Sequence, residues 1–245
     1  MDDLNIELGA VDDVLVEGDE DYTVSIATPG STTGSDVVIG GTTTVTTTII
    51  DNDVAVWSIT GDATIGEGAT ASYTLSRTGT LQFGETTTID LGLSNVDTNS
   101  ADYTNFVAAV NVALAGRSDL IFDGMTLTHT SNGSPFVDLI IELPTVDDVL
   151  VEGDETFSIS ISNPRSKTGA DTMIGGSSVV STTITDNDVA VWSITGDATV
   201  AEGAAAQYLV ELDGLLQLDE TATVELVLSG IDTISTDHVL SLIHI

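Results

Sequence analysis

The residues best suited to chemistry in this chain are carboxylates, and many of them lie in one short segment. Residues 146–155 read VDDVLVEGDE, with five acidic residues and no basic one. Carboxylate oxygens gathered this closely are the ligands that hard cations such as Ca²⁺ take from proteins. The same ten letters also form residues 11–20. Because the segment occurs twice, a recurring cation-binding role fits it better than a unique catalytic centre.

The charge of the whole chain agrees with a cation-binding role. It has 4 Lys and Arg residues against 39 Asp and Glu residues, a formal net charge of −35 at pH 7. This excess repels itself in a compact state unless counterions or bound cations screen it. We therefore expect calcium ions as partners and an extracellular setting, at a cell surface or secreted. The cations are expected to form ion pairs with the acidic surface; they are Arg77, Arg117, Arg165 and Lys167.

The same charge makes other partners unfavourable. Nucleic acids and anionic membranes are negatively charged, so a chain this acidic binds them poorly. The sequence has no apolar run of about 18 residues, and direct membrane insertion is therefore not expected. It has no cysteine, which excludes disulfides and thiolate metal sites.

The chain is built from a long internal repeat. The sequence DNDVAVWSITGDAT occupies residues 51–64 and again residues 186–199, an offset of 135 residues that the acidic segment shares. This register predicts the C-terminal half of one repeat at 1–53, a complete repeat at 54–188 and the N-terminal half of a third at 189–239. No linker rich in Pro, Gly or Ser separates them, so neighbouring repeats of the chain are expected to join stiffly.

The two ends of the sequence carry expectations of their own. Residue 1 lies within a repeat, so we expect the sequence to be a fragment of a longer protein. Residues 240–245, LSLIHI, match the translation of a sequencing adapter, and the repeat stops matching at the same place. We expect these six residues to be an artefact.

The complete repeat has the pattern of an all-β protein. Its segments alternate with period two and favour Val, Ile, Thr and aromatic residues, which predicts strands separated by turn signals. The predicted strands are 54–59, 71–77, 86–93, 125–129, 136–143, 156–162 and 178–185. Seven short strands of this kind indicate a β-sandwich. Trp57 and Trp192 alternate as core residues do.

One segment departs from this pattern. Residues 105–116 read NFVAAVNVALAG, with apolar residues at helical spacing and a glycine at the end. This predicts one short helix per repeat, which covers an open end or edge of the sandwich.

The acidic residues fall in predicted loops. The segment 186–188, DND, ends the last strand, and the segment 146–155 lies between two strands. An EF-hand starting at Asp186 is excluded because that loop needs glycine at its sixth position and glutamate at its twelfth, where this chain has Val191 and Asp197. A cation site assembled from several loops remains.

Two motifs resemble the Calx-beta domain family. They are GDETFSISISNP at residues 153–164 and TTITDND at residues 182–188. That family is known as the calcium-sensing modules of sodium/calcium exchangers and as tandem arrays in large bacterial surface and secreted proteins. The resemblance implies an immunoglobulin-like β-sandwich that binds calcium among the loops at one end.

The resemblance also implies a set of calcium ligands. Matched residue by residue, they are Glu67, Asp102, Asp147, Asp148, the backbone carbonyl near Leu150, Glu152, Glu155, Asp186, Asn187 and Asp188. The family has a run of three aspartates where this chain has Asn187 in the middle, so the number of bound ions is left open. Asp154 is expected to face solvent.

Catalysis is not expected from these carboxylates. Paired acids can serve as acid and base in glycoside hydrolysis, but a substrate cleft needs aromatic platforms and only 4% of the residues are aromatic. Three functions remain. The chain is a calcium-binding structural repeat that extends and rigidifies an adhesin-like bacterial protein, a calcium-sensing module of a membrane protein, or an accessory module of a large secreted enzyme. Near-identical repeats joined without a linker favour the first.

The repeat boundaries predict how fragments behave. Residues 54–188 contain both predicted sheets and every proposed ligand loop, and should therefore unfold cooperatively as an isolated fragment. Residues 1–53 alone should show no cooperative thermal transition, because half of a sandwich leaves its apolar face uncovered. A cooperative transition of the shorter fragment, followed by circular dichroism, would mean that the boundaries are displaced.

Overall fold

The computed structural model describes residues 3–230, which form eighteen strands and one helix. The predicted artefact at 240–245 and residues 231–239 of the third repeat segment lie outside the described residues. The strands are β1 Leu15–Val16, β2 Glu20–Ser25, β3 Thr44–Ile49, β4 Ala55–Gly61, β5 Thr64–Gly66, β6 Thr70–Thr78, β7 Thr80–Leu81, β8 Thr86–Asn95, β9 Leu120–Phe122, β10 Thr126–Thr130, β11 Leu139–Pro144, β12 Leu150–Val151, β13 Glu155–Ser166, β14 Thr172–Ile174, β15 Val179–Thr185, β16 Val191–Gly196, β17 Tyr208–Asp213 and β18 Leu215–Leu216. The helix, α1, is Phe106–Ala113.

Two sheets form the sandwich of the complete repeat. The larger has six strands in the order β5-β15-β13-β8-β10-β9, and the smaller has four in the order β11-β6-β4-β14. Neighbouring strands are antiparallel except for two parallel pairs, β5 with β15 and β4 with β14. The prediction of an all-β sandwich is therefore confirmed.

Alternating side chains from both sheets fill one core. In β6 every second residue is buried, as the period-two pattern predicts. Tyr73 of the smaller sheet packs edge-on against Phe157 of the larger one, with ring centroids 6.5 Å apart. The Tyr73 hydroxyl also hydrogen-bonds to the Thr182 hydroxyl at 2.7 Å, so the buried polar group is satisfied across the sandwich. Trp57 is fully buried, as predicted.

The predicted helix is present. Its first turn is capped by Asn105, whose side-chain oxygen accepts a hydrogen bond from the backbone N–H of Ala108 at 2.9 Å. Phe106, Ala109 and Val110 are buried in the core that the two sheets share. The helix packs against β11, so it closes one side of the sandwich.

Five strands of the complete repeat were not predicted from the sequence, namely β5, β7, β9, β12 and β14. Each has only two or three residues, which is too short to show a period of two. Four of them pair in parallel with strands distant in sequence. Such pairs are fixed by tertiary contacts and not by local alternation.

The described residues group into two compact units. The first comprises residues 3–148 and Gly153–Asp186, and contains the sandwich and the β2–β3 hairpin. The second comprises Val149–Glu152 and residues 187–230, and contains the β16–β17 hairpin and the parallel pair β12–β18. The repeat boundaries after residues 53 and 188 stay a prediction. Among residues 3–230 no helix is long and apolar enough to cross a membrane.

The same sequence is buried in one copy and exposed in another. Trp57 in β4 is 0% exposed, whereas its counterpart Trp192 in β16 is 37% exposed. In the second unit β16 pairs with β17 and no second sheet covers the pair in the part of the chain that the structure describes. The expectation that Trp192 is a core residue therefore does not hold for these residues.

Arg77 is not a surface cation, contrary to expectation. It is 5% exposed, and its guanidinium lies over the rings of Trp57 and Phe136 at 5.7 Å and 5.3 Å. It hydrogen-bonds to His129 Nδ1 at 2.9 Å. Arg117 and Arg165 do pair with acids, Asp119 at 2.8 Å and Asp90 at 3.7 Å.

The guanidinium of Arg77 can only donate hydrogen bonds. His129 Nδ1 therefore accepts, and the His129 ring is neutral with its proton on Nε2.

This neutral histidine predicts a pH dependence of stability. Burial, aided by the charge of Arg77, lowers the pKa of His129 to about 4, whereas an unfolded histidine has a pKa of about 6.5. As the pH falls through this window the unfolded chain binds a proton that the folded chain does not, so the unfolding free energy decreases. Between pH 7 and pH 5 the wild type should lose about 2 kcal/mol more than His129→Asn.

Urea unfolding of both proteins at the two pH values, in buffer without calcium, measures this difference in unfolding free energy. The carboxylates titrate in both proteins, so their contribution cancels in the comparison. Equal losses would show that the histidine is not held neutral.

Candidate metal centre

The acidic residues meet where two parallel strands end. In the β5–β15 pair, Gly66 lies opposite Thr185, so Glu67 and Asp186 follow neighbouring strands at the same edge of the sheet. The Glu67 N–H donates to the Thr185 carbonyl at 3.1 Å and holds this register. Two carboxylates that are distant in sequence are thus brought together by strand pairing.

Three carboxylates form a group with the dimensions of a cation site. Oxygens of Glu67, Asp186 and Asp188 all lie within 4.8 Å of one another, and the three residues are half-buried. Ca²⁺ binds oxygens at about 2.3–2.6 Å, so two ligands on opposite sides of one ion are about 5 Å apart. The group therefore fits a calcium ion in both donor chemistry and size. Within residues 3–230 it is the one carboxylate group of these dimensions.

The two carboxylate oxygens of Glu67 lie in different surroundings. One of its oxygens, Oε1, accepts the backbone N–H of Asp148 at 3.1 Å. The other, Oε2, is buried and has no hydrogen-bond partner. Burial is the main reason that the pKa of Glu67 is raised, and the charges of Asp148, Asp186 and Asp147 raise it further against the lowering effect of the Asp148 N–H. A buried carboxylate oxygen without a donor costs free energy that a bound cation would offset.

The loop after β11 is anchored beside Glu67 by hydrogen bonds. Thr145 is 6% exposed, and its hydroxyl donates to the Ala69 carbonyl at 2.9 Å. The Val146 N–H donates to the Asp102 carbonyl at 2.9 Å. These bonds place Asp147 and Asp148 against the turn that carries Glu67. Both side chains are exposed to solvent.

The other predicted ligands lie in different surroundings. Asp102 accepts a side-chain hydrogen bond from Asn99 at 3.1 Å within its own loop. Leu150 is half-buried in β12, and Glu152 accepts a hydrogen bond from Gln217 at 2.7 Å.

Glu155 is the first residue of β13, opposite Ile184. Asn187 lies exposed between the two aspartates, and Asp154 is exposed as expected.

The first copy of the acidic segment shows how it meets the DND segment. Asn52 donates a side-chain N–H to Asp12 at 3.1 Å. The Glu17 N–H donates to the Asp51 carboxylate at 2.9 Å. At the offset of 135 residues, these four positions correspond to Asn187, Asp147, Glu152 and Asp186. In this copy the two acidic segments are therefore in direct contact.

Fold and site together define a β-sandwich repeat with acidic loops at one end. The sequence profile of the Calx-beta domain matches residues 1–53 and 134–188. These segments of the chain belong to the Calx-beta domain family, as predicted from residues 153–164 and 182–188. The two segments are equivalent parts of consecutive repeats, because residue 188 lies 135 positions after residue 53.

Other comparisons add little to this assignment. None of the curated proteins matches the chain at a significant level. Among solved structures, the chain is similar to a cohesin module from Clostridium perfringens ATCC13124 family 33 glycoside hydrolase, with a TM-score of 0.27 and 11% identity. The match covers 55% of this chain and 99% of that module. A TM-score this low does not establish a common fold.

The turn after β5 offers a matched pair of glycines. Gly68 has φ +74, and a Cβ there would lie 2.7 Å from the Cβ of Asp147. A Cβ at Gly66 would meet no atom closer than Thr185 Oγ1, at 4.0 Å. Gly68→Ala should therefore lower the unfolding free energy by about 1–3 kcal/mol, through left-handed strain and overlap, while Gly66→Ala should change it by less than about 0.5 kcal/mol. Equal losses in urea unfolding would show that the loop does not pack against Gly68.

Proposed function

We propose that this chain is a calcium-binding structural repeat that extends and rigidifies a large bacterial cell-surface or secreted protein, as an adhesin-like stalk without catalytic activity. The observation that supports calcium most directly is the carboxylate group of Glu67, Asp186 and Asp188, with a buried oxygen of Glu67 that has no hydrogen-bond partner. Membership of the Calx-beta family, whose domains are known to bind calcium, supports the choice of ion.

Electrostatics gives the cation a structural role. Glu67, Asp147, Asp148 and Asp186 come from three separate segments. Burial is the main cause of the raised pKa of Glu67, and the charges of the three aspartates raise it further, so these carboxylates repel one another. A bound calcium ion supplies two positive charges and a shell of six to eight oxygens. Binding therefore converts a repulsive cluster into a cross-link between loops. The family resemblance adds Asp102, Glu152 and Glu155 as further candidate ligands.

The repeat pattern supports a mechanical function over a sensory one. Consecutive repeats keep long stretches of identical sequence and are joined without a flexible linker. Identical units in series lengthen a protein, whereas a sensor requires an effector that responds to it. A site with the affinity of extracellular calcium modules, about 0.1–1 mM, would be filled outside the cell. The partners implied are calcium ions and the neighbouring repeats.

Calcium should stabilise the full chain. With a dissociation constant of about 0.1 mM, free calcium at about 10 mM adds roughly 2.7 kcal/mol to the unfolding free energy. Magnesium should add much less, because it requires a smaller octahedral shell and retains its waters. Thermal unfolding in EDTA, calcium and magnesium measures this difference. The same midpoint in all three solutions would overturn the proposed function.

Two variants locate the effect. Glu67→Gln should lose most of the calcium-dependent rise in midpoint, and in EDTA it should melt above the wild type because one repelling charge is gone. The control is Asp154→Asn, which removes the same charge from an exposed position of the acidic segment. It should retain the full calcium response. If both variants responded alike, the stabilisation would be general charge screening and not a site.

A further inference from the structure

The acidic segment makes a backbone contact that its carboxylates do not explain. β1, in the first repeat segment, pairs in parallel with β7 of the complete repeat, Leu15 opposite Thr80 and Val16 opposite Leu81. The N–H of Gln82 continues the pairing and donates to the Val16 carbonyl at 3.0 Å. A dipeptide of one repeat thus adds a strand to the next repeat.

The same contact recurs one repeat later. β12 pairs in parallel with β18, Leu150 opposite Leu215 and Val151 opposite Leu216. The Gln217 N–H donates to the Val151 carbonyl at 3.1 Å. Each of these residues lies 135 positions after its counterpart in the first contact. Two independent copies of the segment therefore make the same connection.

The side chain of Val16 is inserted into the following repeat. Val16 is 0% exposed and forms a small buried cluster with Ala55, Leu81 and Ala170, separate from the main core. The other three members all belong to the complete repeat. Val14, two residues earlier in the same loop, is 75% exposed. Removal of this apolar side chain from water stabilises the contact between the two repeats.

A polar contact and a glycine complete the joint. The side chain of Gln82 donates to the Glu17 carboxylate, and Gln217 donates to Glu152 at 2.7 Å. Gly79 has φ +81, and a Cβ there would overlap the Val54 carbonyl oxygen and lie 3.1 Å from Val16 Cγ2. The sequence keeps both features, as GTLQ at residues 79–82 and GLLQ at residues 214–217.

We propose that VLVEG, residues 14–18 and 149–153, is a docking element by which each repeat inserts into the following repeat, and that the GxLQ strand is its receptor. The partner of this surface is the neighbouring copy of the repeat. The proposal deepens the proposed function, because it names the contact that holds consecutive repeats in register. It does not require bound calcium.

Amide hydrogen exchange of the full chain in EDTA tests the joint. Val16→Asp should accelerate exchange of the Gln82 amide by at least about tenfold, because the charge cannot remain in the buried cluster and the pairing opens. Val14→Asp introduces the same charge at an exposed position of the same loop and should leave that amide unchanged. If both variants gave the same exchange rate at Gln82, the docking element would be refuted.

A second amide serves as an internal reference that would reveal general unfolding. The Leu91 amide donates to the Met125 carbonyl at 2.8 Å within the large sheet, and its exchange should not change in Val16→Asp. If the Leu91 amide also exchanges faster, Val16→Ala is compared with Val14→Ala. The proposal then requires faster exchange of the Gln82 amide in Val16→Ala than in Val14→Ala. The second copy gives an independent test, in which Val151→Asp should accelerate the Gln217 amide and Val149→Asp, at a 67% exposed position, should not.

The outcome is distinguishable from failure of the calcium site. Val16→Asp should keep the calcium-dependent rise in the melting midpoint, because Val16 is not among the acidic ligands. If the melting midpoint of the wild type did not respond to calcium, the proposed function would be refuted, but the exchange result at Gln82 would still support the joint. If exchange of the Gln82 amide were unchanged in Val16→Asp while the calcium response was normal, only the joint would be refuted.

Discussion

The parallel pairing of β5 with β15 is the contact on which the acidic site depends. β5 has only three residues, but its register brings Glu67 to the end of the same edge as Asp186. The adjoining turn then receives the loop after β11 through Thr145, a buried side chain. Without this short strand, the acidic residues would be separate solvated loops. The site is therefore a consequence of backbone pairing, and its acids are held together against their own repulsion.

That repulsion is limited by where the charge lies. The chain keeps a net charge of −35, yet the main core contains a buried cation, Arg77, and no buried carboxylate among the described residues. Arg77 is stabilised by aromatic rings and a neutral histidine. The acids are confined to the loops and the surface, where water and counterions screen them. Burial is the main reason that the pKa of Glu67 is raised, so a cation beside this carboxylate would offset a real cost.

One ten-residue segment serves two structural purposes. Its first acids, Asp147 and Asp148, lie beside the turn that carries Glu67, while the dipeptide that follows pairs with the next repeat. The two parts of the segment differ in exposure, since Asp147 and Asp148 are exposed to solvent, whereas Val16, in the first copy, is buried. Duplication of the segment therefore duplicates a cluster of carboxylates and a connection between repeats together.

The sequence alone determined the repeat, the all-β class, the helix at residues 105–116 and the family, because period-two alternation, helical spacing and repeated motifs are local patterns. It also selected the acidic residues. Tertiary structure decided which of them meet: Glu67 joins Asp186 and Asp188, whereas Asp102 bonds within its own loop. It also decided the burial of Arg77 and the different exposure of Trp57 and Trp192, which share one local sequence. Strands of two or three residues have no readable period, and burial depends on what covers a residue, so neither could be obtained from local pattern.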